Sequence, residues 1–325
     1  MSSGLRLGIF CTLDHHAIGP APQQRYRQAI DEAIQADALG LESFWIAEHH
    51  FAPYGIAPQP AVLLGAIAQA TGRLRLGTAT AVLPFDHPVR TAETYALLDQ
   101  ISGGRLEFGA GSGYLQYEFQ GFGLEPGTRR ERFDEALAVI RQAWSGRPVR
   151  HAGTHFRIDT PALNVLPLQA GGPPIHIGIT RPEAAPFVGR QGLSLATVPY
   201  IRLHAATELA ATVAEYRAAL PPGAAVTVTA AVHVFCGEAA DDPELAEAEA
   251  ALDLYLRTRI VPGARYSGEP IGRDFVLFGG PEQVAAGLRR LQAAGCDRVL
   301  ALLTFGGLPA RLAAGSLRRL ARLVP

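Results

Sequence analysis

The stretch LRLGTATAV (74–82) reads as a strand, VRTAETYALLDQI (89–101) as a helix and RLEFGA (105–110) as a second strand. Pro84 and Pro88 punctuate the first connection, and Gly103-Gly104 turns the second. Strand, helix, strand in such close succession is a βαβ unit, which lays its two strands parallel.

The same alternation continues toward the N-terminus. Residues 5–10 (LRLGIF) form a short apolar strand, followed by a polar loop rich in Pro and Gly through Pro22. Residues 23–39 are helical, with Tyr26, Ile30, Ala33, Ile34 and Ala38 at three- and four-residue spacing and Gly40 as the stop. The segment SFWIAEHHF (43–51) is a buried strand that ends in a carboxylate and two imidazoles, and a helix over 61–71 follows it.

Toward the C-terminus, a glycine-rich loop (109–113) leads into Tyr114, Tyr117, Phe119 and Phe122, a helix over 129–144 and a hairpin over 149–158 turning at Gly153-Thr154. Further strands fall at 175–179, 193–198, 225–235 and 298–303. A helix starts near Pro182-Glu183, and others cover 207–220, 243–259, 281–294 and 309–323. Eight strands with helices between them make a (β/α)8 TIM barrel the expected α/β fold, with a doubly wound open sheet as the runner-up. Two excursions, 109–174 and 236–280, follow the fourth and seventh strands and so belong to the catalytic face. No linker breaks the pattern, and residues 1–325 are expected to form a single domain.

The chain has 325 residues, 48% of them hydrophobic, enough for a large core. A net charge of −1 leaves no basic excess for nucleic acid. No stretch approaches the ~18 apolar residues of a membrane span. Cys11, Cys236 and Cys296 are odd in number and far apart. They form neither a disulfide framework nor a zinc pattern, and they fit a reducing cytosol, so a cytoplasmic location is expected.

If the strand persists this far, its geometry sends Glu48 and His50 one way and His49 the other, and the two histidines then have different jobs. Either they are hydrogen-bonded structural groups or they carry acid–base chemistry, and these residues alone leave both open. Adjacent histidines do not match helical metal-ligand spacing, and no metal site is expected. Gly109-x-Gly111-x-Gly113 departs from the GxGxxG dinucleotide fingerprint in spacing and place, but lets backbone approach a ligand closely. Gly178 to Glu183 joins a strand to a helix. It offers either an anion site or a capping box between Thr180 and Glu183, which are compatible readings.

Taken together, WIAEHHF (45–51), RLGTATAVLPFDHPVRTAE (75–93), LLDQISGGRLEFGAGSG (97–113), PPIHIGIT (173–180) and the closing GGPEQV and FGGLP segments resemble the bacterial luciferase-like flavin-dependent monooxygenase family. The resemblance runs in family order over nearly the whole chain. It implies a barrel that binds reduced FMN at the C-terminal strand ends and uses O2, through a flavin C4a-peroxide, to oxidise a small organic substrate. A separate flavin reductase would supply the reduced FMN, and the chain would be a homodimer. The resemblance places the catalytic acid/base on His49 and a second pocket histidine on His50. The family's non-proline cis peptide beneath the flavin maps to Ala79-Thr80, and the phosphate region to Gly178 to Glu183, with Thr180 the best match. Where luciferase has a reactive Cys and an Arg after the fourth strand, this chain has Gly111 and Ser112. That argues against bioluminescence and shifts the phosphate toward backbone donors or Arg181. The wider family also holds deazaflavin-dependent hydride-transfer enzymes and inactive flavin-binding barrels, which are the alternative expectations.

Overall fold

The computed structural model describes residues 4–16, 19–258 and 273–323. Its strands are β1 (Arg6–Cys11), β2 (Ser43–Ile46), β3 (Arg75–Thr78), β4 (Ala81–Val82), β5 (Leu106–Gly111), β6 (Val149–Ala152), β7 (Arg157–Thr160), β8 (Ile175–Ile179), β9 (Ser194–Thr197), β10 (Val228–Cys236), β11 (Val276–Gly279) and β12 (Arg298–Leu302). The helices are α1 (Pro22–Ala38), α2 (Pro60–Ala70), α3 (Pro88–Ile101), α4 (Gln116–Gly121), α5 (Arg129–Trp144), α6 (Ala185–Arg190), α7 (Ala206–Ala218), α8 (Glu244–Thr258), α9 (Pro281–Ala293) and α10 (Ala310–Leu320).

Eight parallel strands close in the order β1-β2-β3-β5-β8-β9-β10-β12, with β12 returning to β1. Pairing of β9 with β10 seals the ring and excludes the open sheet. All eight expected strands are in the ring. The third differs from expectation, because 74–82 is not continuous. It breaks at a cis peptide between Ala79 and Thr80, and β4 resumes against Ala110 and Gly111 of β5. The β6–β7 pair is the expected antiparallel hairpin. Two elements were not expected: β11, which extends the sheet along the second half of β10, and the short α4. Part of the 236–280 excursion, 259–272, lies outside the described residues.

Helices cover the barrel through apolar stripes. In α5, Phe133, Ala136, Leu137, Ile140, Ala143 and Trp144 recur every three or four residues and are buried. The Trp144 indole N–H is not wasted there, since it donates to the Ala92 carbonyl at 3.0 Å. After α1 the chain reverses at Gly40, whose φ of 81° favours glycine.

The barrel interior decides where a ligand fits. Trp45 stands beside Phe10 and Gly77 in register, and a Cβ on Gly77 would lie 2.1 Å from the Trp45 ring. The indole therefore fills the barrel's waist, edge-on to His176 at 5.0 Å and with the Arg298 guanidinium 5.3 Å from its ring. Toward the strands' N-terminal ends, Arg298 is held by Glu42 and Glu107, and Glu107 also takes His176 and Arg75. Toward the C-terminal ends, Gly111, Gly178, Ala196 and Ala231 are too small to fill the barrel, and a cavity opens.

Candidate active site

The cavity holds about 450 Å³, within the range of cofactor and small-molecule sites. It opens on the C-terminal side of the strands, where barrel enzymes carry their chemistry.

On one wall, β2 ends at Ile46, and Ala47 to His50 leave the sheet. His49 and Glu48 both line the cavity. The His49 Nδ1 lies 3.2 Å from Glu118 Oε1, and the same oxygen accepts the His50 backbone N–H at 2.9 Å. Glu118 comes from α4 and is almost completely buried. With Nδ1–H donated to a carboxylate, Nε2 is the basic nitrogen of a neutral His49. Rings of Tyr54 and Tyr114 flank His49 at 4.3 and 6.4 Å, and their hydroxyls meet at 3.2 Å.

His50 departs from expectation. It does not line the cavity; its ring packs among Phe51, Phe85 and Phe122, and its Nε2 lies 3.2 Å from Glu48 Oε1. β2 ends at Ile46, so strand alternation does not carry through these residues, and Glu48 and His49 both reach the cavity while His50 does not. Burial pushes the Glu48 carboxyl up, against the opposing pull of His50 and the Val82 N–H, which donates to Glu48 Oε2 at 3.2 Å.

On the facing wall, Thr80 lies over two glycines. A Cβ on Gly111 would fall 2.1 Å from Thr80 Oγ1, and one on Gly178 2.5 Å from Thr80 Cγ2. Ala79, Thr80, Gly111, Ser112, Gly178, Thr180 and Arg181 all line the cavity, so the structure gathers these expected cofactor positions in one place. Thr180 is not a helix cap. A 3-10 turn (Pro182–Ala184) intervenes before α6, neither helix start carries a side-chain cap bond, and the capping-box reading is set aside.

The sequence reading missed four contributors. Glu118 sits in a six-residue helix, too short to show a period. Arg129 and Arg130, at the start of α5, and Arg202, after β9, also line the cavity. Arg130 pairs with Asp134 at 3.1 Å and stacks on Phe187 at 4.0 Å. The guanidinium groups of Arg129, Arg181 and Arg202 have no hydrogen-bond or ion-pair partner among the described residues. Their charge and the glycine cradle suit a flat ligand with an anionic tail. Among the described residues no group of three or more His, Cys, Asp or Glu side chains could hold a metal, and no helix is long and apolar enough to cross a membrane.

The chain belongs to the luciferase-like monooxygenase family, whose sequence model matches residues 5–298. It is 32% identical over 197 residues to the oxygenase component of the flavin-dependent trigonelline monooxygenase of Acinetobacter baylyi, covering 60% of this chain and 54% of that protein. The chain spans about half the length of the curated relatives it matches. Among solved structures it resembles the monooxygenase RslO1 of Streptomyces bottropensis, with a TM-score of 0.86 and 25% identity over 98% of each chain. The oxygenating constituent of 3,6-diketocamphane monooxygenase of Pseudomonas putida, in complex with FMN, shares the fold with a TM-score of 0.82 and 18% identity, covering 98% of this chain and 97% of that one. An F420-dependent secondary alcohol dehydrogenase does so with a TM-score of 0.78 and 19% identity, covering 99% of this chain and all of that one.

Proposed function

We propose that the protein is the oxygenase of a two-component flavin system, taking reduced FMN from a separate reductase and oxidising a small organic substrate with O2. The observation that carries this reading is the single cavity in which His49, held by Glu118, faces a glycine cradle with unpaired arginines. Thr80, Gly111 and Gly178 would support the flavin ring, and Thr180, Ser112, Arg181 and Arg129 its phosphate. The bound flavin would supply two electrons to O2, one oxygen atom going to the substrate and the other leaving as water.

The chain's own groups have three tasks. The arginines anchor the anionic tail by charge-assisted bonds. The tyrosines and Trp45 exclude water. His49 moves a proton at Nε2, with Glu118 fixing the tautomer and stabilising the imidazolium. His50 takes no part in proton transfer in this reading; it braces Glu48. The protein is proposed to act as a homodimer, as a single domain.

A deazaflavin-dependent hydride transfer is the competing reading, and the surplus of cavity arginines favours it, because a longer acidic tail would use them all. Anaerobic titration with reduced FMN and with reduced deazaflavin, followed by an oxygen pulse, separates the two. Tight binding of reduced FMN and a slow return of oxidised-flavin absorbance support the oxygenase. Tight binding of the deazaflavin alone, with no oxygen uptake, overturns it.

A further inference from the structure

The ledge that carries Thr80 is held from both ends. On the β3 side, the Thr78 hydroxyl donates to the Gly109 carbonyl at 2.7 Å and accepts the Gly109 N–H at 3.0 Å. The Ala79 N–H donates to the Ile46 carbonyl at 2.8 Å. There β2 leaves the sheet, since its pairing with β3 runs only as far as Ile46 and Thr78. β4 therefore has β5 along one edge, through Ala81 with Ala110 and Val82 with Gly111, and no other strand among the described residues. The Val82 N–H donates instead to Glu48 Oε2 at 3.2 Å. A carboxylate on the chain that follows β2 meets the donor that the β2 backbone no longer reaches.

Glu48 is itself fixed. Its Oε1 lies 3.2 Å from His50 Nε2, and the His50 ring packs among Phe51, Phe85 and Phe122. The two carboxylate oxygens thus join His50 to β4. Val82 lies two residues after Thr80, whose side chain sits so close over Gly111 and Gly178 that neither has room for a Cβ. A shift of β4 therefore moves Thr80 against that floor.

We propose that Glu48, oriented by His50, is a positioning residue for the flavin: it fixes β4 and so the height of Thr80 above Gly111 and Gly178. This rests on the reading above that the cradle holds the flavin ring. Glu48, His49 and His50 then divide into two devices. His49 with Glu118 handles the proton, and Glu48 with His50 holds the ledge. The bond to Val82 needs only an acceptor, so it does not depend on the charge of Glu48.

The test compares Glu48→Ala with Glu48→Gln in the full chain. The Gln amide keeps an oxygen for the Val82 N–H and an NH2 group for His50 Nε2. Glu48→Ala should weaken reduced FMN about five- to tenfold in an anaerobic titration, and lower turnover at saturating flavin by less than about twofold. Glu48→Gln should bring the affinity back to within about twofold of the parent. Hydrogen exchange over 79–84, followed by mass spectrometry without flavin, should quicken in Glu48→Ala and not in Glu48→Gln. Glu48→Met fills similar space without an acceptor, and replaces the alanine variant if circular dichroism shows that one to be unfolded. Unchanged exchange and affinity in the variant without an acceptor overturn the proposal. So does an equal loss of affinity in Glu48→Gln, which would assign the effect to charge. A fall in turnover at unchanged affinity also overturns it, because Glu48 would then belong to the chemistry. If the unaltered protein binds reduced deazaflavin and not reduced FMN, the oxygenase reading fails, and the same comparison of variants is read with the deazaflavin. Binding of neither flavin overturns both.

Discussion

At the scale of single residues, the site turns on one carboxylate oxygen. Glu118 Oε1 receives both the His49 ring and the His50 backbone N–H, so it sets the imidazole's orientation and the path of the chain that carries it. Replacing His49 with Ala should lower coupled product formation about a hundredfold, as loss of a positioned proton carrier does, and change reduced-FMN affinity little. Stopped-flow turnover beside an anaerobic flavin titration checks this, and unchanged turnover would remove His49 from the chemistry. Glu118→Gln keeps an oxygen for the His50 N–H but loses the charge that stabilises an imidazolium. It should cost about tenfold in turnover with the melting temperature nearly unmoved. The adjacent histidines were legible in the sequence because a strand end marks them. Glu118 was not, because nothing local distinguishes a glutamate that a short helix 68 residues further on brings to the His50 N–H and the His49 ring. The family pattern put His50 at the pocket; its ring packs instead among Phe51, Phe85 and Phe122, against Glu48.

Among the elements, those with a regular period were readable and those made by tertiary pairing were not. Each ring strand is a short apolar run bounded by turn residues, a pattern that survives in sequence. The four residues of β11 are a strand only because β10 offers them an edge, and β4 exists only by pairing with β5. The hairpin β6–β7 is a different case. Its turn was visible at Gly153-Thr154, but its anchor was not. Glu135 of α5 accepts the N–H groups of Thr154, His155 and Phe156 and lies 3.1 Å from His151 Nε2. Burial alone would raise this carboxyl; His151 and the three N–H groups override it and hold it below the usual range. Glu135→Ala should leave those donors unmet, cost about 1–3 kcal/mol and lower Tm by a few degrees. Limited proteolysis should then cut first near Gly153, and a cleavage pattern identical to the parent's would show that the hairpin is held by other contacts.

Across the whole molecule, two buried carboxyls shape stability against pH in opposite directions, and neither was marked by its sequence surroundings. In the barrel's lower half, burial would raise Glu107, but the His176 hydrogen bond and the charges of Arg298 and Arg75 outweigh it and hold its carboxyl well below the usual range. Its contribution is present above the unfolded pKa and is lost as pH falls through the folded one. Glu32, in α1, is the reverse. Burial pushes it up to about 7, although Arg25 and the Thr304 hydroxyl pull the other way, and its Oε1 has no partner among the described residues. The folded protein therefore holds a proton on Glu32 between about pH 4.5 and 7 that the unfolded chain has already released. Stability from this group is complete below the unfolded pKa and is lost as pH rises through the folded value. A rise of about 2.5 units corresponds to about 3 kcal/mol at most. Glu32→Gln mimics the protonated form at every pH. It should match the parent near pH 5, exceed it by about 2–3 kcal/mol at pH 8, and gain the difference between those two points. Urea unfolding of both proteins across that range isolates the group, because every other titration is common to them. Parallel curves would mean that Glu32 stays charged in the folded state, its charge met by Arg25 and water in the small cavity they share beside α10.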